Sequence, residues 1–150
     1  MQLLIKKLKH FDENISLPSF HSNEAAGADI SACFEAKKGI VIEPWCRSLV
    51  STGISVSFPP GFELQVRPRS GLSLKTPLII PNSPGTIDSD YRGELKVILA
   101  NMSNESFYLE HGTRVAQLVF NKIERPQIKV VQQLDSTDRG VGGFGSTGSL

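Results

Sequence analysis

The sequence has 150 residues, a formal net charge of +1, and is 39% hydrophobic and 21% charged. That length fits one domain, and no apolar run approaches the roughly 20 residues that cross a bilayer. The balanced charge gives no broad drive toward nucleic acid, whose binders concentrate a basic patch, so any anion must be bound locally.

In chain order, MQLLIKKLKH alternates apolar and basic residues instead of setting a basic patch before a long apolar stretch, and reads as a first strand, not a secretory signal. Strand-like runs follow at Ala28 to Phe34, Ile40 to Ile42, Ser48 to Phe58, Glu63 to Val66, Leu78 to Ile80, Leu95 to Asn101 and Val115 to Phe120. Gly, Pro, Asn and Ser separate them, and the only place for a short helix is Ser70 to Lys75, after Pro68. The pattern is all-β, a sandwich or a barrel. Cys33 and Cys46 have neither CxxC nor metal-ligand spacing and are too few for a disulfide scaffold, as expected of two cytosolic thiols. From about Gln132 the chain turns to QQLDSTDRGVGGFGSTGSL, rich in Gly, Ser and Thr, which cannot build a core alone.

The segment NSPGTIDSDYRGEL, Asn82 to Leu95, sets turn formers around Thr86-Ile87 and then brings acids and an aromatic together. It predicts a β-hairpin at a cleft in which one Asp serves as general base, worth roughly 10²- to 10⁴-fold in a hydrolysis. Asp88 and Asp90 would point the same way on a strand and diverge on a tight turn; capping turns or pairing with Arg92 fits them equally well. QVRPRSGL puts Arg67, Arg69 and Ser70 around a rigid Pro, where forked Arg donors and backbone N–H groups suit phosphate, although a solvated basic turn has the same composition. Asp29 in AGADI could face a metal-bound water, and Gln117 in GTRVAQL could donate to a phosphate. His10, His21 and His111 form no ligand spacing, so no direct protein metal site is assigned; acids with phosphate oxygens suit Mg²⁺ better than Zn²⁺.

Taken in order, AGADI, RPRSGL, NSPGTIDSDYRGEL, GTRVAQL and RGVGGFGSTG resemble the ordered motifs of the trimeric dUTPase family, from Ala26 to Gly148. The resemblance implies a small jelly-roll-like β-barrel over residues 1–131, a flexible glycine-rich tail over 132–150 that closes over the active site, and a cytoplasmic homotrimer with shared sites. It implies hydrolysis of dUTP to dUMP and pyrophosphate with Mg²⁺, which limits uracil in DNA and supplies dUMP for thymidylate synthesis. Asp88 corresponds to the carboxylate that orients the attacking water, and Tyr91 to the aromatic that packs on the deoxyribose. Asn82, with the backbone at Thr86, Ile87 and Lys96, matches the positions that bond the uracil edge. Arg69, Ser70, Gly71 and Gln117 match phosphate contacts, and Asp29 the acid that holds water ligands of Mg²⁺. Phe144 resembles the aromatic over the uracil, and Arg139, Gly145 and Ser146 the tail groups around the terminal phosphates. Two other readings share the fold: a dCTP deaminase-like or bifunctional enzyme, and a non-catalytic interaction protein. The Asp88 and Tyr91 motif with its glycine tail favours the hydrolase.

Overall fold

The computed structural model describes residues 2–143. Alternation of apolar and polar residues is what drives the strands together: in β8 (Glu94–Asn101), Leu95, Val97 and Leu99 point into the core while Glu94, Lys96 and Ile98 point out. β8 pairs antiparallel with β4 (Arg47–Ser57) and with β6 (Leu78–Ile79), and β1 (Leu4–Lys7) closes the far edge, giving a sheet in the order β1-β4-β8-β6. A second sheet runs β2-β10-β5-β7, from β2 (Ala28–Ser31), β10 (Arg114–Lys122), β5 (Phe62–Arg67) and β7 (Gly85–Ile87). β3 (Ile40–Ile42) and β9 (Phe107–Leu109) form a separate two-stranded ribbon.

Their inner faces share one core that includes Ile30, Val50, Ile54, Leu64, Leu95, Leu99 and Leu118, with Phe58 and Phe120 edge to face at 5.5 Å. Truncating one of these to Ala costs about 2–5 kcal/mol. The arrangement is the expected jelly-roll-like all-β barrel. Asn101, wholly buried, donates to Ile42 O at 2.9 Å and Glu105 O at 2.7 Å and accepts from Ser103, so the ribbon is tied to the main sheet with no unmet amide.

The helix, α1 (Ser70–Lys75), lies where expected. β9 was not expected, because Phe107-Tyr108-Leu109 is too short to show alternation between NES and EHG. The expected hairpin over Asn82 to Leu95 is corrected: β7 pairs with β5 and β8 with β4 and β6, so the segment is a crossover between sheets. Residues beyond Lys122 continue without strand or helix to residue 143, and Ile128, Val130 and Leu134 are fully or largely exposed. Cys33 is buried and Cys46 exposed, both free, and burial pushes the Cys33 thiol up. Among the described residues, no helix is long and apolar enough to cross a membrane.

Candidate active site

The crossover from β7 to β8 builds a cleft of about 290 Å³. Asn82, Thr86, Ile87, Asp88, Tyr91 and Lys96, all expected at the site, line it together. The Tyr91 N–H closes a turn on Asp88 O at 3.1 Å; Asp88 faces the cleft and Asp90 is not part of its wall. The Tyr91 hydroxyl donates to Glu94 O at 3.0 Å, which pins the ring across the turn. Gly93 makes room for it, since a Cβ there would lie 2.3 Å from the phenol oxygen. Leu49 and Ile98 give the cleft an apolar wall.

Glu94 also lines this cleft, and the sequence reading did not single it out. Burial by itself would raise its carboxyl, but the Gly53 N–H at 2.9 Å and His10 at 3.0 Å, with Lys96 nearby, outweigh that and hold it below its ordinary range.

A second group of expected residues gathers around Asp29. Its Oδ1 lies 2.9 Å from Arg69 Nε, and its Oδ2 lies 3.0 Å from Arg114 Nη1 and 3.3 Å from His21 Nε2. The Arg69 Nε contact is an ion pair by distance but out of line for a hydrogen bond, so a buried donor there stays unmet. Gln117 stands directly opposite Asp29 in the β2–β10 register and donates to Pro68 O at 2.8 Å. Gly27 packs tightly under it, with a Cβ placed there only 2.3 Å from Gln117 Oε1. Ser70 and Gly71 begin α1 directly after Arg69; Ser73 is the first N–H to bond back, to Arg69 O at 3.0 Å, leaving the earlier N–H groups outside the helical ladder. A Cβ on Gly71 would meet nothing within 4 Å, so this backbone is open to an incoming group. Arg114 and His21 were missed as partners of Asp29; Arg114 sits inside the quoted GTRVAQL, whereas nothing local marks His21.

The two groups do not meet within one chain. From Asp29 the register passes to Gln117 on β10, then Arg67 on β5, and from Gln65 on β5 to Thr86 on β7. Three strand spacings of about 4.8 Å, roughly 14 Å, separate Asp29 from Thr86; Gln117 is one strand nearer, and Arg69 and Ser70 follow β5, the neighbour of β7. The cavity of about 320 Å³ that borders Asp29 and Arg114 shares no lining residue with the Asp88 cleft. Arg139 is exposed and its Nε donates to Gly142 O at 2.8 Å, within its own turn. Phe144, Gly145 and Ser146 lie outside the described residues.

The sequence model of the dUTPase family matches residues 13–148. The chain belongs to the dUTPase family. It is 48% identical over 137 residues to the deoxyuridine 5'-triphosphate nucleotidohydrolase of Fusobacterium nucleatum, covering 91% of this chain and 92% of that one. It is 45% identical over 148 residues to the protein of the same name from Syntrophotalea carbinolica, covering 99% of both. Among solved dUTPases, that of Staphylococcus bacteriophage 80alpha with dUPNHPP superposes with a TM-score of 0.84 at 30% identity, covering 98% of each chain. A mutant dUTPase from phage phi11 of S. aureus, described for its coordination of a structural Mg(II) ion, superposes with a TM-score of 0.76 at 26% identity, covering 91% of this chain and 100% of that one.

Proposed function

We propose that this chain hydrolyses dUTP to dUMP and pyrophosphate, with the nucleoside in the Asp88 cleft and the phosphates over the Asp29 cluster. The observation that carries this reading is the cleft itself: six residues drawn from one family motif and the strand that follows it line a single cavity. Asp88 takes a proton from water as that water attacks the α-phosphorus, and the electrons of the breaking P–O bond leave with pyrophosphate. Asn82 and the main chain at Thr86, Ile87 and Lys96 bond the uracil edge. Their donors and acceptors would be mispaired by cytosine, which can discriminate by about 10⁴ or more. Tyr91, tied to Glu94 O, packs on the deoxyribose and excludes a 2′-hydroxyl.

Arg69, Ser70, Gly71 and Gln117 receive the phosphate oxygens; the unmet Arg69 Nε and the open Gly71 backbone support this. Asp29 fits a part in holding Mg²⁺ through water. A carboxylate offers about four acceptor positions; Arg114 Nη1 takes one at 3.0 Å, while Arg69 Nε is out of line and His21 Nε2 stands 3.3 Å away, which leaves room for a metal-bound water. Bound there, Mg²⁺ would neutralise charge on the phosphate chain. Residues 132–150 act as a lid, with Phe144 over the base and Arg139, Gly145 and Ser146 around the terminal phosphates. In the cell the reaction, placed in the cytoplasm, keeps uracil out of DNA and supplies dUMP for thymidylate synthesis.

The separation of the two groups supports a homotrimer in which neighbouring chains complete each site, the cleft of one facing the cluster of another. Sedimentation should give three times the mass of the chain; a monomer with full activity would refute the shared site. Incubation with dUTP or dCTP and Mg²⁺, scored for pyrophosphate and ammonia, tests the reaction. Pyrophosphate from dUTP without ammonia from dCTP is expected, and the opposite result would make the chain a deaminase.

A further inference from the structure

Glu94 begins β8 at the edge of the cleft, and only 13% of its side chain is exposed. Its carboxylate does not stand free. Oε1 accepts from the Gly53 N–H at 2.9 Å and lies 3.0 Å from His10 Nε2, while Oε2 is 3.4 Å from Lys96 Nζ. Gly53 belongs to an irregularity in β4: Ser51 faces Lys96 and Ser55 faces Glu94, so three residues on β4 oppose Leu95 alone. The bulge needs Gly53 at a φ of 71°, and its carbonyl accepts from Leu8 N–H at 2.8 Å. Thr52 Oγ1 bonds Leu95 O at 2.5 Å on the other side. One carboxylate thus ties together the chain after β1, the bulge of β4 and the start of β8.

The inner end of this arrangement touches two groups that the proposed reaction uses. The main-chain carbonyl of Glu94 receives the Tyr91 hydroxyl at 3.0 Å, and its side chain stands 3.4 Å from the Lys96 ammonium, both at the wall of the cleft. We propose that Glu94 is a positioning residue for nucleoside recognition, braced from outside the cleft by His10 and the Gly53 N–H. The inference rests on the dUTP reading. Glu94 would act through Tyr91 and Lys96 and not on the reacting phosphorus, so its loss should weaken binding and sugar discrimination while leaving the chemical step nearly intact.

Steady-state kinetics of the full chain with dUTP and with UTP separate this from a purely structural brace. Glu94→Ala keeps the main-chain carbonyl that receives Tyr91 but releases the strand that carries it and Lys96. It should raise KM for dUTP by about tenfold and lower the preference for dUTP over UTP, the scale expected when charge-assisted hydrogen bonds that brace a binding segment are lost. Its kcat should stay within about threefold of wild type. Glu94→Gln keeps an oxygen for the Gly53 N–H but gives up the charge facing His10 and Lys96, so it should recover part of the loss. His10→Gln should shift KM in the same direction by a smaller factor. If Glu94→Ala does not fold, Glu94→Gln and His10→Gln carry the same split between KM and kcat. Variants that melt earlier but keep the wild-type KM and sugar preference would overturn the proposal, because Glu94 would then only brace the bulge. A fall in kcat at unchanged KM would overturn it as well. A wild-type chain that hydrolyses no dUTP would overturn both this and the parent reading, whereas an active wild type with unmoved variants sinks this one alone.

Discussion

The cleft beside β7 and β8 and the cluster around Asp29 are built on different physical terms. The cleft has an apolar wall from Leu49 and Ile98, a ring held by one hydrogen bond, and main-chain groups at its edge. The cluster is charge against charge, with two guanidiniums and an imidazole on one carboxylate, and Arg114 half exposed. A base is recognised by shape and by donors and acceptors that cannot shift, which calls for a rigid crossover between sheets. A phosphate chain is recognised by charge, which tolerates solvent and acts at longer range. The difference teaches why one barrel can carry both halves yet keep Asp29 about three strands from the cleft: each needs a different wall, and in the proposed trimer a neighbouring copy would bring them together.

The comparison is broken most severely at Asp88. Asp88→Asn keeps the shape of the cleft and removes the proposed base, so turnover with dUTP should fall by roughly 10²- to 10⁴-fold. Binding of a hydrolysis-resistant dUTP analogue, measured by calorimetry, should change little. Near wild-type turnover would show that Asp88 only shapes the turn. Smaller and more selective effects come from two glycines that each crowd one site side chain. A Cβ at Gly93 would lie 2.5 Å from Tyr91 Cζ, so Gly93→Ala must move the ring and should cut the preference for dUTP over UTP by about tenfold or more. A Cβ at Gly27 would instead displace the Gln117 amide, so Gly27→Ala should raise KM by about threefold to tenfold with the sugar preference unchanged. Equal effects of the two variants on UTP and dUTP would erase the division between base side and phosphate side. The melting temperature of Gly93→Ala should stay near wild type, because Tyr91 sits at the exposed rim, whereas Gly27→Ala, which also crowds Gln117 Cβ at 3.2 Å and disturbs its bond to Pro68 O, should melt somewhat earlier.

Much of this was legible in the sequence because the barrel strands alternate and the site residues fall in compact runs. The strand expected at Ile40 to Ile42 and the helix at Ser70 to Lys75 have the observed ends. The crossover misread as a hairpin shows what local pattern cannot supply: turn residues announce a reversal, but which sheet each flanking strand joins depends on partners such as β5 and β4, far away in the chain. Glu94 and His21 were passed over for the same reason. Their partners, His10, Gly53 and Asp29, come from other strands and turns, and neither residue has a spacing that marks it. Lys96, by contrast, lies just past the motif Asn82 to Leu95, is expected at the site through the family resemblance, and lines the cleft.

The smallest effect expected is on stability in acid, and it sets the cleft apart in another way. Glu94 and the buried Asp12 both have carboxyls held below their ordinary values of 4.5 and 3.8. For Asp12 the main cause is the Asn14 N–H on its carboxylate, with His111 and Lys37 adding to it against burial. For Glu94 the bonds from Gly53 and His10 overcome burial. In each case the folded state takes up the proton less readily than the unfolded chain. The stabilisation is therefore complete above the ordinary values and is lost as pH falls below them, through the lower folded values. Urea unfolding between pH 7 and pH 3 should show a flat plateau down to about pH 5 and then a decline. Glu94→Gln and Asp12→Asn cannot take up that proton, so each should be less stable than wild type on the plateau and decline less steeply below it. If both variants declined as steeply as wild type, other carboxylates would govern acid unfolding. If only Glu94→Gln flattened the decline, the anchor of the cleft would be the first element that acid releases, and KM for dUTP should begin to rise in the same pH interval.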